Sequence, residues 1–253
     1  APTLASVTIV SNNSVSTLAK IGNIISLSIT SAEAIQTPSV TIAGQNATVT
    51  GSGTSWSAAY TMTSSYSSNV PVSLSVSFSD LAGNTGTVTS TTNSSAVQFD
   101  RTSPTLNEIT PVPTPTPDNA SNYTFSSSEA GTITYGGSCS SSTTSATADN
   151  NTITFNALAE GTYSNCKISV TDSSSNTSDN LSVSSFTIDT TAPTLDSVTI
   201  VSNNSVSSTR AKTGNVITLS ITSSEAIQAP IVRIAGQTAQ VTGSGTSWSA
   251  AYT

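Results

Sequence analysis

The chain has no histidine, which removes the usual general base for a serine or cysteine nucleophile, and no serine sits in a G-x-S-x-G elbow. A triad hydrolase is excluded. The 13 Asp and Glu residues are scattered, and the glutamates recur at equivalent positions of a repeat, so a repeated structural role outweighs the paired carboxylates of a glycosidase. No enzymatic activity is expected. Only 8% of residues are charged, and the six Lys and Arg stand singly against a net charge of -7, leaving no basic stripe for phosphates. Nucleic acid is not an expected partner. No apolar run approaches the ~18 residues of a membrane helix and no positively charged start precedes an apolar stretch, so neither a membrane span nor a signal peptide is expected in this window. The two cysteines, Cys139 and Cys166, lack CxxC spacing and a histidine neighbour, which points away from zinc and toward an oxidising compartment.

What the chain does have is Ser and Thr, roughly two residues in five, a composition that suits strands with small polar outer faces. Alternation is clean: Val72, Leu74, Val76 and Phe78 are each separated by a serine, which predicts strands with one buried face. A long repeat dominates. The segment APTLASVTIVSNNSVS from Ala1 returns from Ala192 as APTLDSVTIVSNNSVS, and the match continues to Thr253 with one residue inserted near Thr209. Trp56 and Tyr60 reappear as Trp248 and Tyr252. Between the copies lies a shorter unit that opens SPTL at Ser103 and closes FTIDTTAPTL at Leu195, much as the first closes VQFDRTSPTL at Leu106. Units of about 100 and about 90 residues each match one sandwich domain and not a solenoid repeat. The expected domains are 1–102, 103–191 and 192–253.

Seven short strands are predicted in the first unit, near 5–10, 23–31, 38–42, 46–50, 55–62, 70–79 and 85–99, with turns such as Gly22-Asn23 and Gly83-Asn84 between them. The second unit repeats the count, near 105–112, 121–128, 131–136, 142–147, 151–156, 162–171 and 180–188. Prolines 111, 113, 115 and 117 fall in or after its first strand, where only an edge tolerates a missing N–H. The Gly-rich GSGTSW at 51–56 and 243–248 has no lysine and no following helix, so it reads as a β-turn and not a phosphate loop. Trp56 and Tyr60, like Trp248 and Tyr252, share one strand face, which favours core packing over a sugar-stacking platform. Lys20 and Lys212 fall between strands and read as solvated side chains.

The hinges DRTSPTL and DTTAPTL, the segments SAEAI, SSEAG and SSEAI, and the loop DLAGN resemble the bacterial Ig-like repeats of large surface adhesins and other exported repeat proteins. The resemblance covers the whole chain, and it implies tandem seven-stranded immunoglobulin-like Greek-key β-sandwiches in an extracellular setting. It implies a spacer or adhesive role and nothing about catalysis. The second unit departs at one loop, reading DSSSN from Asp172 where the first reads DLAGN. In such a fold the third and sixth strands neighbour each other, so Cys139 after the third and Cys166 on the sixth are expected to form a disulfide in preference to two buried thiols.

The same topology returns the ends of the second and sixth strands to the pole where the linker arrives. Glu129, Asp172 and the hinge residue Asp100 are therefore expected to converge, and a hard cation such as Ca²⁺ would neutralise them. The equivalent positions are Glu33 and Asp80 in the first unit, and Asp189, Glu225 and the nearby Asp196 for the third. The competing reading is that each Glu caps backbone amides and each Asp makes a turn. Thr253 matches Thr61, so the third unit is expected to lack its sixth and seventh strands, supplied either by continuing chain or by a neighbouring subunit.

The function expected is a non-enzymatic extender of a cell-surface adhesin or fibre whose partners are neighbouring Ig-like domains. The alternatives are repeats that bind a glycan or protein on a target surface, repeats that assemble as subunits of a filament or sheath, and an accessory domain of a secreted enzyme.

Overall fold

Alternating apolar and small polar residues leave the chain one way to hide its hydrophobic surface, and every regular element of the computed structural model, which describes residues 1–253, is a strand. Two compact units result, residues 1–189 and 190–253. Residues 1–102 contain β1 (Leu4–Ser11), β2 (Leu18–Ala19), β3 (Ile24–Ser31), β4 (Ser39–Ile42), β5 (Gln45–Asn46), β6 (Thr48–Ser52), β7 (Ser55–Thr61), β8 (Val70–Pro71), β9 (Leu74–Ser79), β10 (Thr85–Val88) and β11 (Gln98–Phe99). They form sheets in the orders β1-β3-β7-β6, β10-β9-β4-β5 and β2-β11-β8. All pairings are antiparallel except that of β2 with β11. From the first sheet Val7, Ile25, Leu27, Ile29 and Trp56 meet Val40, Ile42, Val76 and Phe78 of the second in one core, as in a β-sandwich. Each such aliphatic side chain contributes about 2 kcal/mol relative to exposure.

The β6–β7 hairpin shows why its turn is glycine-rich: Gly51 has φ 129°, and a Cβ there would collide with the Ser55 carbonyl and the Trp56 Cα. The indole of Trp56 is buried and donates to the Gly53 carbonyl at 3.2 Å. It is a core residue.

A second core gathers Tyr123, Phe125, Ile153, Phe155, Ile168, Val170 and Phe186. Its strands are β12 (Leu106–Thr110), β13 (Asn122–Ser127), β14 (Gly131–Gly136), β15 (Ser145–Ala146), β16 (Asp149–Thr154), β17 (Gly161–Tyr163), β18 (Lys167–Thr171), β19 (Leu181–Ser182) and β20 (Phe186–Ile188). The sheets run β12-β13-β16, β15-β14-β18-β19 and β17-β20. Cys139 and Cys166 are joined by a disulfide with Cα atoms 5.2 Å apart. Cys139 follows β14 and Cys166 immediately precedes β18, the neighbour of β14. Prolines 111, 113, 115 and 117 lie after β12 in a stretch where Thr116 bridges Ile188 in parallel fashion. Thr114 and Thr116, between the prolines, make the bonds that prolines cannot.

The long predicted strands are corrected by the structure. Segment 70–79 is two strands, β8 and β9, and 85–99 is two, β10 and β11, each pair divided between different sheets. Segments 162–171 and 180–188 divide in the same way, and 142–147 shrinks to β15. The cause is visible at β1. Between β10 and β11 the chain leaves its sheet so that Thr92 Oγ1 and Ser95 Oγ accept the amides of Val7 and Ile9, both at 3.0 Å. Side chains there replace a ladder and protect an edge.

Residues 190–253 contain β21 (Leu195–Ser202), β22 (Ile217–Ser223), β23 (Arg233–Ile234), β24 (Gln237–Thr238), β25 (Gln240–Ser244) and β26 (Ser247–Tyr252), in sheets β21-β22-β26-β25 and β23-β24. Val7 and Ile9 are 0% and 3% exposed, whereas their repeat partners Val198 and Ile200 are 50% and 60% exposed. In the first core that face is covered by Val72, Val76, Phe78, Val97 and Phe99, which have no counterpart in residues 190–253. Expressed alone, residues 192–253 are expected to give no cooperative thermal transition and to bind a hydrophobic dye. A sharp transition without dye binding would show that the small core suffices.

Candidate cation site

Three of the predicted carboxylates come together. Oxygens of Asp100, Glu129 and Asp172 lie within 4.8 Å of one another. Asp100 ends the first core: it follows β11, and its amide donates to the Ala19 carbonyl at 2.8 Å. Its Oδ1 accepts Ser68 Oγ and the Thr102 amide, both at 2.9 Å, which fixes the start of the linker. Glu129 lies between β13 and β14, and Asp172 directly follows β18, so the second core supplies the other two acids from loops far apart in sequence.

The Asp172 loop is a five-residue clamp. Its Oδ1 accepts the Asn176 amide and its Oδ2 the Asn176 side-chain amide, both at 2.9 Å. The Asp172 amide donates to the Asn176 carbonyl at 2.9 Å, and Asn176 Nδ2 also reaches the Asp100 carbonyl at 3.2 Å. Asp80 and Asn84 build the same clamp in the first core, with bonds of 2.9, 2.7 and 3.0 Å. The departure of DSSSN from DLAGN is thus corrected: the geometry needs only Asp and Asn four residues apart, and Ser175 takes the positive φ that Gly83 supplies in the first loop. Asn84 and Asn176 were missed by sequence reasoning, although the D-x-x-x-N spacing recurs. Asn176→Ala is expected to cost about 1–2 kcal/mol in urea unfolding, because Asp172 stays buried without those donors. A change near zero would mean that water replaces them without penalty.

A second missed pattern holds the glutamates. Ser31 Oγ donates to the Glu33 carbonyl, Ser127 Oγ to that of Glu129 and Ser223 Oγ to that of Glu225, each at 2.6 Å. All three serines are buried. The expectation that each Glu caps backbone amides is corrected, since the serine two residues earlier makes the turn and the carboxylate is left over. No hydrogen bond reaches the Glu129 carboxylate, and its pKa is raised by burial first, then by the charges of Asp100 and Asp172. The expectation that Asp makes turns holds for Asp80 and Asp172.

The remaining predicted ligands do not join this group. Glu33 is exposed, and Asp80 is buried in its clamp, its pKa lowered chiefly by the Asn84 side-chain bond. Asp189 directly follows β20, its amide donating to the Thr116 carbonyl at 2.9 Å. Within residues 190–253, Asp196 is exposed on β21 and Glu225 Oε1 is buried without a hydrogen bond.

The donor set of the cluster is entirely carboxylate oxygen, which fits a hard cation such as Ca²⁺ and not zinc or copper. Asp172 keeps a second lone pair on each oxygen despite its clamp. Compared with known proteins, the chain matches no family model and no curated protein significantly. No helix is long and apolar enough to cross a membrane.

Proposed function

We propose that the chain is a non-enzymatic extracellular extender of a repetitive cell-surface adhesin or fibre. It is built from tandem seven-stranded immunoglobulin-like Greek-key sandwiches, and Ca²⁺ stiffens a junction between them. The observation that carries this reading is the placement of the acids: Asp100 closes the first core, Glu129 and Asp172 belong to the second, and the three converge at the linker. Carboxylates this close repel unless protonated or neutralised. A cation held by both sides of a linker turns a jointed chain into a rod, and reach is what tandem modules in series supply. The disulfide and the Ser/Thr-rich surface suit an oxidising, aqueous setting.

The test is small-angle scattering with calcium and with chelator. The expected result is a larger and sharper maximum dimension with calcium for the wild type, and no response in Asp100→Asn. An identical wild-type profile in both conditions refutes the calcium junction. A second reading, repeats as self-assembling subunits of a filament, is favoured by the exposed row Leu195, Val198, Ile200 and Val201 on β21. Concentration-dependent sedimentation, abolished by Ile200→Ser, would support it.

A further inference from the structure

The loop that carries Asp172 also touches the first core through atoms that no carboxylate uses. Asn13 Nδ2 donates to the Ser174 carbonyl at 2.9 Å, and Lys20 Nζ donates to the next carbonyl, that of Ser175, at 2.5 Å. Both donors are organised by one residue. Asn23 Oδ1 accepts Asn13 Nδ2 at 2.9 Å and the Lys20 amide at 2.8 Å, while the Asn23 amide returns to the Lys20 carbonyl at 3.1 Å. The result is a preformed polar socket between β1 and β3. Opposite it stands a turn closed by the Asp172–Asn176 clamp, which aims two consecutive carbonyls outward.

The internal bonds of the socket recur with the repeat. Within residues 190–253, Asn204 Nδ2 donates to Asn215 Oδ1 at 3.1 Å, the Lys212 amide donates to the same atom at 2.9 Å, and the Asn215 amide returns to the Lys212 carbonyl at 3.0 Å. One inserted residue near Thr209 has not disturbed it. The turn recurs too, as Asp80–Asn84 in the first core. The second core has no such socket. Between β12 and β13 it carries four prolines and no lysine.

We propose that Asn13, Lys20 and Asn23 form a recognition socket for the Asp-x-x-x-Asn turn of the module that follows, narrowing the range of angles between the two even without metal. The partner chemistry is specific: a tight turn presenting two adjacent carbonyls to one ammonium and one amide N–H. A charge-assisted bond from Lys20 is the stronger of the two, and Asn13 adds direction. Modules of the first kind therefore carry socket and turn, while modules of the second kind carry the turn alone.

The proposal is independent of the calcium junction, and its test is run in chelator on the full chain with the native disulfide oxidised. Spin labels on Thr87→Cys and Thr152→Cys, one exposed site in each core, report the inter-core distance distribution. In chelator the wild-type background is expected to give a single distribution, and Lys20→Met with Asn13→Asp one about twice as wide. Asn13→Asp keeps the Oδ1 that accepts the Val15 amide but gives up the bond to Asn23 Oδ1, so Lys20→Met alone, which leaves the internal bonds of the socket in place, is expected to widen the distribution as well, with the thermal midpoint of each core unchanged. Distributions of equal width for the wild type and the double variant in chelator overturn the socket. Failure of calcium to change anything in the scattering experiment leaves this result untouched.

Discussion

Replacing Cys139 and Cys166 together by alanine is expected to lower the unfolding free energy of the second core by about 3–4 kcal/mol on the chain-entropy model. The bond closes a loop with a sequence separation of 27 residues, and both cysteines are buried among the core side chains. It ties the stretch after β14 to the start of β18, the two central strands of one sheet. A loss of this size is a large share of the stability of a small domain. The first core is a separate hydrophobic cluster, so its transition is expected to stay in place. Urea unfolding of the wild type and of the double variant measures both. A difference below about 1 kcal/mol would mean that packing of Phe125, Phe155 and Phe186 holds this core without the cross-link.

Glu129→Gln is expected to have opposite effects with and without calcium. In chelator the wild type carries a half-buried carboxylate against Asp100 and Asp172, with its pKa raised. Its folded pKa therefore exceeds its unfolded one, the folded chain binds the proton more tightly, and stability rises as pH falls through the folded value. At neutral pH the charge is a liability, and removing it raises the melting temperature by about 3 °C after allowance for solvent screening. Calcium at one hundred times its dissociation constant adds about 2.7 kcal/mol to the wild type, an increment that the Glu129→Gln variant largely forgoes. Other groups run the opposite way. Asp80, lowered chiefly by the Asn84 side chain, and Glu108, raised by burial but lowered on balance by its hydrogen bonds from Ser184 and by Tyr123, lose their contribution as pH falls through their folded values. The informative quantity is thus the wild type minus Glu129→Gln across pH in chelator. A difference that does not change with pH would show that Glu129 is not held against the other two acids.

The repeat and the alternation made the all-β class and most strand positions legible, because a period of two with small polar partners has no other way to bury its apolar face. The pairing of Cys139 with Cys166 was legible for a related reason, since strand order brings distant segments side by side. The division of 70–79 and 85–99 between sheets was not. Pattern is continuous across Val72 and Ser73, yet β8 pairs with β11 and β9 with β4, and between β10 and β11 the chain leaves its sheet where Thr92 and Ser95 protect the edge of β1. At the site, Glu129 and Asp172 could be placed at one pole from connectivity alone, but Glu33 and Asp80 have the same sequence context and do not join a group of three.

By itself, then, the sequence determined the kind of element, the repeat and the residues available for a cation, because side-chain chemistry and periodicity are local properties. Tertiary structure decided which carboxylates converge, that Ser127 and Asn176 make the turns that leave Glu129 without a donor, and that Asn13 and Lys20 meet the carbonyls of Ser174 and Ser175. Those outcomes depend on distances between segments as much as 161 residues apart, which the meeting of the first and second cores sets and no local pattern encodes.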